Sequence, residues 1–275
     1  MGKYEGSMKP YYETPNGKLY HEDCLQIMPE LEPIDLTITS PPYDNLRDYK
    51  GYKFEFENMA NELFRVTKKG GVFVWVVGDA TINGSETGTS FKQALFFMDC
   101  GFNLQDTMIY QKHNFSNPSN NRYHQIFEYM FVFSKGKPKT FNPIKDRENI
   151  KKGFTKVSNS RYKNGKIRDK SKEKRTLNNK YLFVNDFGMR YNVWKFTTQN
   201  IKGHPAPFPE QLANDHIISW SNEGDTVLDP MSGSGTVPKM CERLKRKWVA
   251  CEISEEYCEI IAKRVEQERK QRKMF

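Results

Sequence analysis

The chain has 275 residues, of which 37% are apolar and 28% are charged, a balance typical of a folded globular protein rather than a disordered one. Its net charge of +9 is uneven, because residues 135–180 contain 17 Lys or Arg against 4 Asp or Glu, which leaves a net charge of −4 on the remainder. No apolar run approaches the roughly 20 residues of a membrane-spanning helix, and the first residues lack the apolar core of a secretory signal.

Cysteine and histidine spacing exclude two further classes. The five cysteines are scattered without a CxxC pair, which predicts free thiols in a reducing compartment and hence a cytoplasmic protein. The five histidines occur in no HExxH or HxxxH arrangement, so we expect no metal site.

Apolar segments alternate with helical ones along the chain. Strands rich in β-branched or aromatic residues are predicted over 34–40, 71–79, 126–134, 225–230 and 247–253. Helices are predicted over 54–71, ending at a glycine pair, over 209–220, and over 253–273 with Ser254 as N-cap. This alternation predicts an α/β fold with a mostly parallel sheet covered by helices on both faces.

The basic segment (residues 135–180) interrupts this alternation. We therefore expect a catalytic body over 1–140 and 191–275, with a separate basic region over 141–190. Dense Lys and Arg neutralise phosphates, and the interspersed aromatic and amide residues can stack on or read bases, although a solvated loop is the alternative. The predicted DNA-binding residues are Lys151, Lys152, Arg161, Lys163, Lys166, Arg168, Lys170 and Lys172.

The tetrapeptide Ser40-Pro41-Pro42-Tyr43 follows the first predicted strand, where ligand sites form in open α/β sheets. Its two prolines fix φ and lack N–H donors, which leaves a rigid pair of acceptors, the Ser40 hydroxyl and a proline carbonyl. Such acceptors aimed at the amino group of a base stabilise the positive charge that develops as its nitrogen attacks an electrophile. Tyr43 can stack on a base that is flipped out of a DNA double helix. On its own, the tetrapeptide also fits a plain strand-ending turn.

A small-residue turn follows the fourth predicted strand. It consists of Asp229-Pro230-Met231-Ser232-Gly233-Ser234-Gly235-Thr236. Glycines allow a ligand to approach the backbone closely, and the absence of a Gly-Lys-Ser/Thr ending argues against a triphosphate site. The next strand ends in Glu252, an acid at the usual position for binding ribose hydroxyls. A plain tight turn and a surface glutamate are the alternatives.

These motifs resemble those of the bacterial restriction–modification amino-methyltransferases, which make N4-methylcytosine or N6-methyladenine. The tetrapeptide looks like their catalytic motif, and the turn looks like their cofactor loop, Asp-Pro-Phe-x-Gly-Ser-Gly-Thr, with Met231 in place of Phe. The resemblance implies a Rossmann-like fold that binds S-adenosylmethionine, with Asp23 near the adenine, Glu252 on the ribose and the segment 204–209 near the methionine end. The implied cofactor-binding residues are Asp23, Cys24, His204, Pro205, Asp229, Met231, Ser232, Gly233, Ser234, Gly235, Thr236 and Glu252.

The resemblance covers residues 17–140 and 191–270. The order of the motifs along the chain indicates one subgroup of the family. The catalytic motif precedes the cofactor loop, as in the beta subgroup, whose target-recognition region occupies the place of the basic segment. A cytosine-5 methyltransferase would need a Pro-Cys pair, which is absent, and protein glutamine methyltransferases have the opposite motif order. A non-catalytic DNA-binding protein would leave both motifs unexplained.

The residue before Pro-Pro-Tyr bears on the target base. Serine is more typical of N4-cytosine enzymes and aspartate of N6-adenine enzymes. We therefore expect transfer of a methyl group to N4 of a flipped cytosine in double-stranded DNA, with N6 of adenine as the alternative. Double-stranded DNA is the expected partner, a cognate restriction endonuclease is left open, and no membrane partner is expected.

Overall fold

The computed structural model describes residues 9–42, 54–115, 118, 120–150, 152–156, 181–197 and 209–272. The chain divides into two compact units, one of Met1–Asn142 with Asn192–Phe275 and the other of Pro143–Tyr191. The second unit overlaps the region that the sequence assigns to target recognition, and that role stays a prediction.

The described residues form short and long strands together with six α-helices. In chain order, the strands are β1 (Tyr12–Thr14), β2 (Gly17–His21), β3 (Ile34–Thr39), β4 (Thr67–Val77), β5 (Thr81–Ile82), β6 (Ser85–Glu86), β7 (Asn103–Lys112), β8 (Phe127–Ser134), β9 (Arg147–Glu148), β10 (Gly153–Lys156), β11 (Tyr181–Val184), β12 (Phe187–Gly188), β13 (Val193–Phe196), β14 (Thr226–Asp229) and β15 (Lys247–Glu252). The α-helices are α1 (Cys24–Ile27), α2 (Phe56–Val66), α3 (Thr89–Asp99), α4 (Glu210–Trp220), α5 (Thr236–Arg243) and α6 (Glu255–Arg272).

A nine-stranded sheet forms the centre of the first unit, in the order β1-β2-β15-β14-β3-β4-β8-β7-β13. The five strands from β2 to β4 in this order are parallel to one another. Strand β8 runs antiparallel between β4 and β7, and β13 pairs parallel to β7 at the far edge. The predicted mostly parallel sheet is confirmed, and its central strands all end at the same edge.

Helices cover both faces of this sheet. Residues of β4 alternate between the two layers: Val72, Val74 and Val76 lie in one apolar cluster, and Phe73, Trp75 and Val77 lie in the other. The first cluster includes apolar residues of α4, α5 and α6, whereas the second includes those of α1, α2 and α3. Burial on both sides explains why β4 and β8 contain near-continuous apolar runs. No helix among the described residues is long and apolar enough to cross a membrane.

The predicted boundary between the helix over 54–71 and the strand over 71–79 is wrong. Helix α2 ends at Val66 instead of continuing to the glycine pair, and β4 begins at Thr67. The Leu63 carbonyl in the last helical turn accepts from the Thr67 N–H and also from the Thr67 hydroxyl, 2.6 Å away. Gly70 then bonds through its N–H to the Lys135 carbonyl at 2.7 Å, so pairing with the chain that follows β8 overrides the helical pattern.

The second unit contains short antiparallel pairs, β9 with β12 and β10 with β11. Arg190 forms an ion pair with Asp146, and the guanidinium of Arg147 lies 4.7 Å from the ring centroid of Tyr191. These contacts are exposed and local, so they organise the described part of the unit without a sizeable core.

Candidate active site

The predicted site residues gather where the parallel strands end. Ser40 follows β3, Asp229 ends the adjacent strand β14, Glu252 ends β15, and Asp23 follows β2. Neighbouring parallel strands therefore carry the start of the predicted catalytic tetrapeptide and the predicted cofactor loop (Asp229–Thr236, called the cofactor loop below) to one edge of the sheet. This edge is where open α/β sheets bind ligands.

A buried hydrogen bond joins the two motifs. The Thr39 hydroxyl donates to Asp229 Oδ1 at 2.9 Å, and both side chains are at most 2% exposed. The same oxygen accepts the Met231 N–H at 3.3 Å. Burial raises the pKa of Asp229 to about 7, although the hydrogen bond from Thr39 opposes the shift. Thr39 precedes Ser40, so this bond connects the loop directly to the strand end that holds the tetrapeptide.

The tetrapeptide is described through Pro42. Ser40 is half-buried, Pro41 is buried and Pro42 is half-buried, so the acceptors lie at the boundary between core and solvent. This placement suits a group that must meet an incoming base while its backbone stays fixed. Tyr43 lies outside the described residues.

Hydrogen bonds within the cofactor loop hold its backbone. The Ser232 N–H donates to the Cys251 carbonyl at 3.0 Å, which fastens the loop to β15. The Ser232 hydroxyl donates back to the Asp229 carbonyl at 3.0 Å, and the Gly235 N–H donates to the Ser232 carbonyl at 2.8 Å. The loop is therefore preorganised before helix α5 begins at Thr236.

Gly235 is required by its conformation and by its neighbour. Its φ is +76°, in the left-handed region, and a Cβ there would lie 2.8 Å from a side-chain carbon of Ile261 on α6. Any L side chain would be both strained and blocked. Close packing of α6 on the loop therefore explains the second glycine of the motif.

Glu252 faces the loop with a buried carboxylate. Its two oxygens accept the N–H groups of Gly233, at 2.8 Å, and Ser254, at 2.9 Å. Burial raises its pKa above the ordinary value, against the effect of these hydrogen bonds. Each oxygen has a second lone pair, so the carboxylate can still accept hydrogen bonds from the hydroxyl groups of a sugar.

Asp23 and Cys24 have different surroundings. Asp23 is the N-cap of α1, where its Oδ1 accepts the Leu25 N–H at 2.8 Å, and the preceding Glu22 N–H donates to the Glu252 carbonyl at 3.1 Å. Asp23 thus lies beside the end of β15. The Cys24 thiol is buried, 3.9 Å from the Met59 sulfur, and burial raises its pKa to about 12. Its side chain therefore belongs to the core.

Several predicted residues lie outside the described part of the chain. They are Tyr43, Lys151, Arg161, Lys163, Lys166, Arg168, Lys170, Lys172, His204 and Pro205. Lys152 is described: its ammonium lies 2.6 Å from Glu148, in an exposed ion pair. Solvent screens such a pair, so Lys152 can exchange this partner for a phosphate.

The sequence patterns did not indicate two residues at this edge. Asp79 follows β4, and its carboxylate accepts the Ser90 N–H at 2.8 Å and the Ser90 hydroxyl at 2.5 Å, close to the start of α3. An acid two residues after an apolar strand was its available signal. The other is Arg264, which lies on α6 among buried apolar residues and donates hydrogen bonds to Ser234 of the cofactor loop. In the part of the chain that is described, no group of three or more His, Cys, Asp or Glu could hold a metal ion.

Comparison with known proteins identifies relatives over most of the chain. A family model described as a DNA methylase, the N6/N4 methyltransferases, matches residues 34–263. The chain is 54% identical over 240 residues to the orphan methyltransferase M.BamHII of Bacillus amyloliquefaciens, covering 84% of this chain and 88% of that protein. It is 30% identical over 253 residues to the type II methyltransferase M.HpaI of Haemophilus parainfluenzae, covering 86% and 69%.

Solved structures share the fold. The PvuII DNA methyltransferase, named cytosine-N4-specific, superposes with a TM-score of 0.67 at 24% identity, and the match covers 93% of this chain and 88% of that one. The complex of M1.HpyAVI with SAM gives a TM-score of 0.60 at 21% identity, with coverages of 90% and 98%. At these identities the likeness establishes the fold, and it confirms the predicted Rossmann-like architecture.

Proposed function

Because the chain belongs to the N6/N4 family of DNA methylases, we propose that it transfers a methyl group from S-adenosylmethionine to the exocyclic N4 of a flipped cytosine in double-stranded DNA. The observation that carries this proposal is the hydrogen bond from Thr39 to Asp229. It connects the strand end that bears Ser40 to the loop that suits a nucleoside cofactor.

The residues around the loop suit S-adenosylmethionine. The Glu252 carboxylate is a sugar-hydroxyl acceptor at the bottom of the loop, and Gly233 and Gly235 have positive φ, which lets the backbone come close to a ligand. Asp23 places a second carboxylate at the same edge. When bound, the cofactor supplies a methyl group on a positively charged sulfur, and an acidic edge favours that charge.

Ser40 and the following proline carbonyl act on the base. An exocyclic amino group is a poor nucleophile because its lone pair is conjugated into the ring. The two acceptors take its two N–H hydrogens and favour a pyramidal nitrogen that can form the new N–C bond. The bond between the methyl group and sulfur would break as the N–C bond forms, leaving a neutral thioether. One of these protons would then pass from the nitrogen to water, which restores a neutral methylated amine. Since these acceptors matter most as charge develops, they act mainly on the transition state.

The choice of cytosine depends on Ser40. A serine hydroxyl is a neutral acceptor and donor, whereas an aspartate at this position would be a charged acceptor only. Among the solved structures that share the fold, the PvuII methyltransferase is named cytosine-N4-specific. The alternative target, N6 of adenine, presents the same amino chemistry to the same acceptors.

The name of M.HpaI as a type II methyltransferase supports a role in a restriction–modification system, with a cognate endonuclease as its second member. M.BamHII is named an orphan, which supports a methyltransferase that acts without one. In either arrangement, DNA methylated by this protein should resist an endonuclease that cleaves the same sequence.

Labelled methyl transfer tests the proposal. Unmethylated duplex DNA is incubated with the protein and S-adenosylmethionine that carries a labelled methyl group. The DNA is then digested to nucleosides, which are separated by chromatography and identified by mass spectrometry. N4-methylcytosine is the expected product. N6-methyladenine would overturn the choice of base and leave the reaction intact, while unmodified DNA from a protein that binds neither DNA nor S-adenosylmethionine would overturn the function.

A further inference from the structure

Arg264 connects the cofactor loop to another helix. Its side chain is 12% exposed, and its Nη1 donates to the Ser234 carbonyl, to the Ser234 hydroxyl at 3.1 Å, and to Thr236 Oγ1 at 3.5 Å. Its Nη2 donates to Glu210 Oε1 at 2.7 Å. One planar guanidinium therefore binds the loop with one nitrogen and a carboxylate with the other.

Glu210 holds this guanidinium in place. It is the first residue of α4, and its Oε1 also accepts from Lys239 at 2.6 Å. Burial by itself would raise the pKa of Glu210, but the hydrogen bonds from Lys239 and Arg264 lower it below the ordinary value. Glu210 is thus a stable carboxylate, and Arg264 keeps a fixed orientation because its planar fork is anchored at two points.

A second contact from the same helix acts on the next loop residue. Ile261 lies three residues before Arg264 on α6, on the same helical face, and a Cβ at Gly235 would lie 2.8 Å from it. The apolar contact limits Gly235 from one side while Arg264 fixes the Ser234 carbonyl. Helix α6 therefore determines the backbone of consecutive loop residues.

We propose that Arg264 is a positioning residue for the cofactor loop. By holding the Ser234 carbonyl, it keeps the preceding Gly233 N–H on Glu252, and so orients the carboxylate that would take the ribose. Through Glu210 it also fixes the residue at which α4 begins, soon after the segment 204–209 predicted to contact the methionine end. The inference rests on the proposed function, since the loop must bind S-adenosylmethionine.

A matched arginine distinguishes positioning from simple helix pairing. Arg243 on α5 donates to Glu268 on α6 at 2.7 and 2.8 Å. Its Nη2 also lies 4.0 Å from Glu210 Oε2, too far for a hydrogen bond, and none of the described contacts of its side chain reaches the loop. R243Q should therefore lower the thermal unfolding temperature without weakening S-adenosylmethionine binding. R264Q should raise the Kd for S-adenosylmethionine, measured by calorimetry, about 10-fold or more, the size expected when hydrogen bonds from a charged group are removed.

Kinetics supply the second measurement. The KM of R264Q for S-adenosylmethionine should rise in parallel with its Kd, while kcat at saturating cofactor stays within about 3-fold of wild type. R264K should recover part of the affinity, because an ammonium restores the charge but not the two-sided fork. E210Q keeps Arg264 and its loop contacts, so it tests the anchor if R264Q does not fold, and its Kd should rise by a smaller factor.

The outcomes separate the two proposals. Wild-type affinity in a folded R264Q or, where that variant does not fold, in E210Q would overturn the positioning role and leave the function intact. An equal rise in Kd for R243Q and R264Q would overturn it as well, because general destabilisation would then account for both. A wild-type protein with no affinity for S-adenosylmethionine would instead overturn the proposed function.

Discussion

Thr37 and Thr39 lie on the same face of β3, two residues apart, and both side chains are at most 1% exposed. The Thr39 hydroxyl donates to Asp229 at 2.9 Å, whereas the Thr37 hydroxyl has no hydrogen-bond partner within the part of the chain that is described. Two equally buried threonines of one strand therefore differ in whether the hydroxyl has a described hydrogen-bond partner. That difference isolates the contribution of the bond between the tetrapeptide strand and the cofactor loop.

Replacing each threonine by valine tests this bond. T39V should lower the free energy of unfolding by about 1–3 kcal/mol, because Asp229 loses a donor inside the core. T37V should be neutral or slightly stabilising, since it removes a buried hydroxyl that has no partner in the described part of the chain. Urea denaturation of both variants measures the difference. Equal effects of the two substitutions would show that the Thr39 bond contributes nothing specific.

Asp229 makes stability depend on pH in a defined window. Burial raises its pKa to about 7 in the folded protein, whereas the unfolded value is about 3.9. Between these values the folded state keeps a proton that the unfolded state has released, so this contribution to stability falls as the pH rises from about 4 to about 7. Relative to D229N, the wild type should therefore gain stability as pH falls, by up to about 1.4 kcal/mol per pH unit. A difference that stays constant from pH 5 to pH 8 in urea titrations would contradict this.

His216 acts in the opposite direction. It is fully buried, with its Nε2 3.3 Å from the Met130 sulfur, and burial lowers its pKa to about 3. Below about pH 6.5 the histidine binds a proton in the unfolded chain but stays neutral in the folded protein. The contribution of His216 to stability is therefore lost as pH falls toward 3. In the wild type the slopes from Asp229 and His216 should offset each other between about pH 4 and pH 6.5.

The variants should separate the two slopes. H216F keeps an aromatic ring beside Trp194, whose centroid lies 4.6 Å from that of the histidine. Relative to the wild type, H216F should gain stability as pH falls, and D229N should lose stability over the same range. Denaturation at matched pH values measures both, and parallel curves for the two variants would refute the assignment of either slope.

Much of the fold can be predicted from the sequence because the central strands are buried on both faces. The segment 34–40 is predicted as a strand, and β3 occupies Ile34–Thr39. Helix α3 escapes prediction because its apolar residues surround it: Phe97 is buried while Leu95 is 62% exposed. Strand β7 escapes prediction because Leu104 is the one apolar residue in its first half, so neither an alternating pattern nor a continuous apolar run marks it.

The residues of the candidate site that lie at or directly after the end of a strand can be predicted from the sequence. Ser40, Asp229 and Glu252 each end or follow a parallel strand, so topology alone brings them together. Arg264 cannot be found in this way. Its partners Ser234 and Glu210 lie 30 and 54 residues away, and no local pattern specifies how α4, α5 and α6 pack around it.

Removing the Ser40 hydroxyl should impair chemistry more than binding. S40A should keep its affinity for S-adenosylmethionine, because Glu252 and the cofactor loop lie on other strands. Its turnover should fall on the order of 100-fold or more, the usual cost of removing one preorganised hydrogen-bonding group from a transition state. Single-turnover methyl transfer measures the rate and calorimetry measures the affinity. Near-normal turnover would remove Ser40 from the reaction.

The basic segment should contact phosphates, because its excess charge lies in a stretch too polar to form much core. Neutralising four of its lysines should weaken binding to duplexes of any sequence. For each phosphate that a lysine no longer neutralises, the dependence of log K on log salt should also flatten by about 0.9. Affinity for S-adenosylmethionine should not change. The residues to be replaced by glutamine are Lys151, Lys152, Lys170 and Lys172.

A second set of lysines controls for net charge. Four exposed lysines lie in the first unit, on or near α5 and α6, and their replacement by glutamine removes the same total charge; they are Lys245, Lys247, Lys263 and Lys270. If DNA binding depends only on the overall charge of the protein, replacing either set should weaken binding and flatten the salt dependence equally. If the basic segment binds phosphates directly, only the first set should change the slope by an amount equivalent to several phosphates. An unchanged slope and affinity in the first set would mean that another surface binds the DNA.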